Sequence, residues 1–278
     1  MKHPFLLPSI LLLALCLRAS TPSGLGAMPE IINVSAYDPK EKQRAGASYS
    51  EHNVSALREN GARALIARAG KGGDLDEKCR NFLSSADRVG MLPGIYYRLQ
   101  TQVDAAKQAD QFVARAQTLA RSRDWNAPAL LLCGDFDAKS RLSDILRFMD
   151  RIESRTGVVP VAYLENSAHL KTLLNGADQA AKARLRRMPY WLALYSNTHV
   201  SGPRELLNQY GVWSNWTMWQ YGGVDWERGR SQPKVYSSGA YRFPRYFGNI
   251  DRPLERNVFN GSPASLQTFW QRHGLKLN

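Results

Sequence analysis

Two things are scarce in this 278-residue chain, cysteine and acid. It has three cysteines, and Cys16 lies in the first twenty residues, so only Cys79 and Cys133 remain beyond them. That excludes a disulfide scaffold. Neither cysteine has the spacing of a metal site, and no histidine does either. No metal and no cofactor is expected. The short "GKGG" (70–73) is no phosphate-cradling loop. No internal repeat or low-complexity linker divides the chain. Acids are outnumbered, 24 against 37 Lys and Arg, for a formal charge of +13. An excess of that size speaks to solubility and to attraction for polyanions, not to fold. No nucleic-acid reading motif accompanies it, so nucleic acid is not expected as a partner.

Long apolar runs are also missing, apart from one at the start. "MKHPFLLPSILLLALCLRAS" opens with Lys2 and His3, runs apolar from Phe5 to Leu17 and ends on small residues. It is short for a membrane span and has the layout of a secretory signal. The expectation is therefore export to the periplasm or outside the cell, without stable membrane insertion. Segment 1–20 is then the signal, 21–29 a short N-terminal segment, and 30–278 a single domain. Lys2 and Arg18 leave with the signal, which lowers the charge from +13 to +11. For an exported protein, the polyanions within reach are anionic wall polymers and membrane surfaces. The dense basic pieces "KARLRR" (182–187) and "RGRSQPK" (228–234) are read mainly as solvated surface.

What the chain has in quantity is alternation of strand and helix. Strand-like runs fall at 30–35, 62–69, 91–97, 128–137, 158–164, 190–196, 216–221 and 254–259. Amphipathic segments at 51–60, 76–89, 104–122 and 141–155 separate the early ones. This order implies parallel pairing with helices outside, and eight strands in this length imply a barrel. The regularity fades after residue 196, where no helix is legible between the last two strands. The fold expected is α/β, a distorted TIM-like barrel.

In such a barrel, chemistry sits at the carboxyl ends of the strands. "ALLLCGDFDA" (129–138) is a buried strand that ends in Asp135 and Asp137. Period two puts Cys133, Asp135 and Asp137 on one face, with the two acidic Cα atoms roughly 6–7 Å apart. Asn33, Tyr96, Tyr97, Glu255 and Asn257 fall at the same rim. A lone D-x-D also suits a divalent metal with a phosphate, or plain loop capping, and the convergence at the rim weighs against both.

These residues resemble family 25 of the glycoside hydrolases, the muramidase-type lysozymes. The likeness runs from about residue 30 to residue 262. "INVS" (32–35) resembles the family's opening I-D-V-S, and "LIARAGKGG" (65–73) its second strand. "GIYY" (94–97) is similar to G-x-Y-H, "QADQFV" (108–113) to its Q-A-x-x-F helix, and "LLLCGDFD" (130–137) to its L-D-x-E strand. "WLALY" (191–195), "MWQY" (218–221) and "ERNVFNGS" (255–262) complete the order. The resemblance implies five β/α units followed by three further strands, and peptidoglycan or a related amino-sugar polymer as substrate. It implies Asp137 as proton donor, in place of the family's glutamate, with Asp135 assisting the substrate's acetamido group. Asn33 and Glu255 stand where the family has aspartates, and Lys71 where an acid is common. Tyr96, Tyr97, Tyr195, Trp219 and Gln220 are the expected sugar contacts. With this altered set of carboxylates two readings stay open: a hydrolase, or a barrel that binds glycan without turnover.

Overall fold

The computed structural model describes residues 28–38, 51–122, 124–194, 204–222, 224–227, 230–233 and 254–277. The expected signal (1–20) and most of 21–29 lie outside them. Among the described residues, no helix is long and apolar enough to cross a membrane.

The elements run in this order: β1 (Glu30–Val34), α1 (Glu51–Glu59), β2 (Ala62–Lys71), β3 (Asp74–Leu75), α2 (Cys79–Arg88), β4 (Leu92–Arg98), α3 (Ala105–Ala120), β5 (Ala129–Phe136), α4 (Leu142–Thr156) and β6 (Val161–Leu164). Then come α5 (Ala168–Asn175), α6 (Gln179–Leu185), β7 (Tyr190–Ala193), α7 (Arg204–Tyr210), β8 (Met218–Gly222), β9 (Val224–Glu227), β10 (Arg230–Pro233), β11 (Glu255–Phe259), α8 (Pro263–His273) and β12 (Gly274–Lys276). Local chemistry sets several boundaries. Asp104 caps α3 by accepting the Lys107 N–H at 3.0 Å, and Asp178 caps α6 through the Ala181 N–H at 2.7 Å. Such caps satisfy N–H groups that the first turn cannot. Gly157, at φ 70°, ends α4 in the left-handed region that glycine enters without strain.

Eight strands close on themselves in the order β1-β2-β4-β5-β6-β7-β8-β11, with β11 returning to β1. Every neighbouring pair is parallel except those that β11 makes with β1 and β8. This is the distorted α/β barrel expected, and the eight strand-like runs are its eight staves. The structure adds α7 between β7 and β8, and a β9–β10 hairpin between β8 and β11.

Side chains alternate across each stave. Along β5, Leu131 and Cys133 point into the barrel, while Leu130, Leu132 and Phe136 meet the helices. Cys133 and Cys79 are both free and buried, one inside the barrel and one in the helical layer. The lower end of the barrel is stoppered by α8, whose Leu266 and Trp270 join the interior cluster. Gly94 admits the indole: a Cβ there would stand 3.4 Å from Trp270 and 3.1 Å from Ile66. Trp270 Nε1–H donates to the Pro93 carbonyl at 2.7 Å, and β12 then pairs antiparallel with the first half of β5. Replacing a fully buried, hydrogen-bonded tryptophan costs roughly 3–5 kcal/mol. Trp270→Ala is therefore expected to lower the free energy of unfolding by that amount, measured by urea unfolding, because the stopper and the β12 docking fail together.

Candidate active site

Because seven staves run one way, their carboxyl ends share a rim, and the antiparallel β11 brings its first residue, Glu255, to the same level. The inward phase that places Leu131 and Cys133 in the interior continues to Asp135, the last inward position of β5. Its neighbours across the sheet are Arg98 on β4 and Tyr163 on β6. Asp135 is 8% exposed. Burial pushes its carboxyl up, Arg98 pulls it down, and Asp137 and Glu165 push it up again, leaving it at about 6. An ordinary aspartate loses its proton near 3.8, so burial makes Asp135 hold its proton to a higher pH.

Asp137 lies one residue beyond the strand. Its Oδ1 accepts the Lys139 N–H at 2.9 Å, and its Oδ2 faces an Arg98 nitrogen at 3.4 Å. Both oxygens are therefore held. Glu165, just past β6, reaches back so that its Oε2 accepts the Ala138 N–H at 3.2 Å.

Across the rim stands an amide network. Asn33 on β1 donates to Glu255, while its Oδ1 accepts from Gln220 at 3.0 Å and from Asn257 at 2.8 Å. Asn257 also donates to the Ile31 carbonyl and accepts the Trp191 indole N–H at 2.8 Å. Tyr163 O–H donates to Gln220 Oε1 at 2.8 Å. Tyr163, the sheet neighbour of Asp135, is thus tied to Asn33 and Glu255 through Gln220. Polar groups buried at this density rigidify a site when each is satisfied.

Tyr96 points into the barrel beside Arg68 of β2, and burial raises its phenol well above the usual range, with the Glu255 charge adding to it. Tyr97, one residue on, must face the other way. It lies among Phe112 and Phe148 in the helical layer, its hydroxyl donating to Gln111 Oε1 at 2.6 Å and accepting the Gly73 N–H at 2.9 Å. Trp219 likewise faces outward, packed edge-on against Trp216 and Tyr221, while its neighbour Gln220 turns in. The alternation of the staves keeps both Tyr97 and Trp219 from the cleft. Tyr195 lies outside the described residues.

The structure therefore brings together Asp135, Asp137, Asn33, Glu255, Tyr96 and Gln220 of the expected set. It adds Arg68, Arg98, Tyr163, Glu165, Trp191 and Tyr37, whose ring lies 5.0 Å from the Arg68 guanidinium and is 43% exposed. The sheet register, which the sequence does not write, is what sets Tyr163 and Arg98 beside Asp135. Among the described residues, no cluster of His, Cys, Asp and Glu has a metal-holding arrangement.

A barrel with acids gathered at the carboxyl ends of its strands suits the two-carboxylate chemistry of glycoside cleavage. The sequence profile of Glycosyl hydrolases family 25 matches residues 46–229, about two thirds of the chain, and the chain belongs to this family of lysozyme-type glycosidases. The matched stretch holds Asp135 and Asp137 but not Asn33 or Glu255. The fold is similar to that of the bacterial lysozyme from Streptomyces coelicolor (TM-score 0.58, 18% identity, 88% of this chain and 98% of that one). It is similar to the muramidase from Trichobolus zukalii (TM-score 0.58, 17% identity, 87% and 99%). It also resembles the family 25 lysozyme from Aspergillus fumigatus (TM-score 0.58, 15% identity, 87% and 99%). Among curated proteins, none matches its sequence.

Proposed function

We propose that this protein is an exported muramidase that cleaves the glycan strands of peptidoglycan, with the Asp135–Asp137 pair carrying the catalytic proton. The observation that carries the reading is the buried Asp135 two residues from a second acid on the barrel rim. The Asp137 charge beside it helps Asp135 hold a proton. In mildly acid solution the raised Asp135 carboxyl keeps a proton. When the substrate's acetamido N–H donates to Asp135, the anion is favoured there and the proton passes to Asp137. Asp137 then protonates the leaving glycosidic oxygen as the C1–O bond breaks. The acetamido oxygen closes on C1, and water later opens that cyclic intermediate. Asn33 and Glu255 position the sugar through the amide network, Tyr96 and Gln220 border it, and the positive balance of the chain draws it toward anionic wall polymers. Family membership and the muramidases among the fold's neighbours support this choice of substrate.

Digestion of purified cell wall followed by mass spectrometry tests the reading. The expected products are fragments with a new reducing end on muramic acid; reducing ends on glucosamine alone, or none, would overturn it. One observation favours a second reading, glycan binding without turnover. Asn33 is uncharged and already hydrogen-bonded to Glu255, Gln220 and Asn257, where the family resemblance implies an ionisable aspartate. Retention on insoluble peptidoglycan without new reducing ends would establish that alternative.

A further inference from the structure

Arg98 stands at the rim at the end of β4, and three acids surround it. It is the β4 partner of Asp135 in the sheet register. Its guanidinium lies 3.4 Å from Asp137 Oδ2. The acids beside it, Asp135, Asp137 and Glu165, all hold it in its charged form. The loop that carries Asp137 is tied on its other side, where Glu165 accepts the Ala138 N–H. Asp137 is one methylene shorter than the glutamate implied for this position, so its carboxyl sits closer to the backbone and depends more on being aimed. Arg98 on one oxygen and the Lys139 N–H on the other supply that aim.

We infer that Arg98 is a positioning residue: it fixes the short acid Asp137 at the end of β5 and balances the charge of Asp135, Asp137 and Glu165. The inference rests on the proposed hydrolysis for its kinetic consequences but not for its electrostatic ones. The groups facing Asp135 are Arg98 and Tyr96 from β4, Arg68 from β2, Tyr163 and Glu165 from β6 and the loop after it, and Asp137 from its own loop. Arg98 is the largest favourable charge among them, and Arg68 is already engaged by Asp76 at 2.9 Å. Removing Arg98 leaves three acids facing each other.

The test compares wild type with Arg98→Gln and Arg98→Lys on soluble glycan-strand fragments from pH 4 to 8, with a ¹³C carboxyl NMR titration of Asp135 in parallel. Misaiming by ~1 Å costs about 10²-fold. Arg98→Gln is expected to lower kcat by about 10–100-fold, with KM changed less than about threefold. It is also expected to move the Asp135 titration upward. Arg98→Lys, which keeps the charge without the planar reach, restores the titration but only part of kcat. A kcat and titration unchanged in Arg98→Gln would overturn the inference, as would an effect confined to KM, which marks a substrate contact. Should the wild type show no turnover, the hydrolytic reading fails on its own. The Asp135 titration still decides the role of Arg98: an upward move supports it, and no move overturns it.

Discussion

Asp135→Asn is expected to make the protein more stable at pH 8 while reducing glycan cleavage by about 10³-fold or more. Asp135 is raised from the ordinary 3.8 to about 6 by burial first, with Asp137 and Glu165 adding to it against Arg98. The folded state therefore binds this proton more tightly than the unfolded chain does. The benefit is fully present below pH ~4, fades as pH rises through about 6, and is gone above it. At pH 8 the folded protein holds a buried charge that the unfolded chain would solvate, a cost of at most about 3 kcal/mol. Asparagine removes the charge at nearly the same volume, so a gain of about 1–3 kcal/mol at pH 8 should shrink toward zero by pH 4. Urea unfolding at the two pH values measures it. The activity loss has a separate origin, because an amide cannot take up or release the proton, and a preorganised group of this kind contributes ~10²–10³ or more. A loss of stability at pH 8 would show that Asp135 is structural.

The second large effect belongs to Asp137. Asp137→Asn retains the size and the ability to accept the Lys139 N–H, so the fold is expected to survive with a melting temperature near that of the wild type. Reducing-end release should nevertheless fall by about 10³–10⁴-fold, the scale of losing a general acid. Asp137→Glu restores the implied length, yet displaces the carboxyl from the Arg98 and backbone contacts that hold it. It is expected to remain active, and to rescue part of the loss in Arg98→Gln. Equal release by wild type and Asp137→Asn would remove Asp137 from the chemistry.

The eight staves were legible because each is an apolar run of strand length, and buried parallel strands are written that way. The acid pair was legible for the opposite reason: Asp135 interrupts such a run at its end, where burial of a carboxyl has a cost that packing alone does not explain. Adjacent residues posed a different problem. Of Tyr96 and Tyr97, or of Trp219 and Gln220, one can face the cleft, and the phase is set by neighbours far along the chain. Tyr96 turns in because Gly94 below it is the inward position that admits Trp270. That contact spans 176 residues and leaves no local trace. Arg68, Arg98 and Glu165 read as ordinary strand-end charges until the register sets them against Asp135 and Asp137. The stopper helix had a local start signal, Ser262 before Pro263. What it plugs is a long-range fact. In "KARLRR", Lys182 donates to the Asn175 carbonyl, Arg184 and Arg187 pair with Asp150 and Glu153, and Arg186 donates to the Val212 carbonyl. That basic piece serves the helical layer.

The pH dependence of glycan release from purified peptidoglycan tests the shared proton most directly. The account predicts that wild-type kcat/KM is highest in mildly acid solution and falls as pH rises through about 6, when Asp135 gives up its proton. A rate that holds level or climbs across that interval would contradict it.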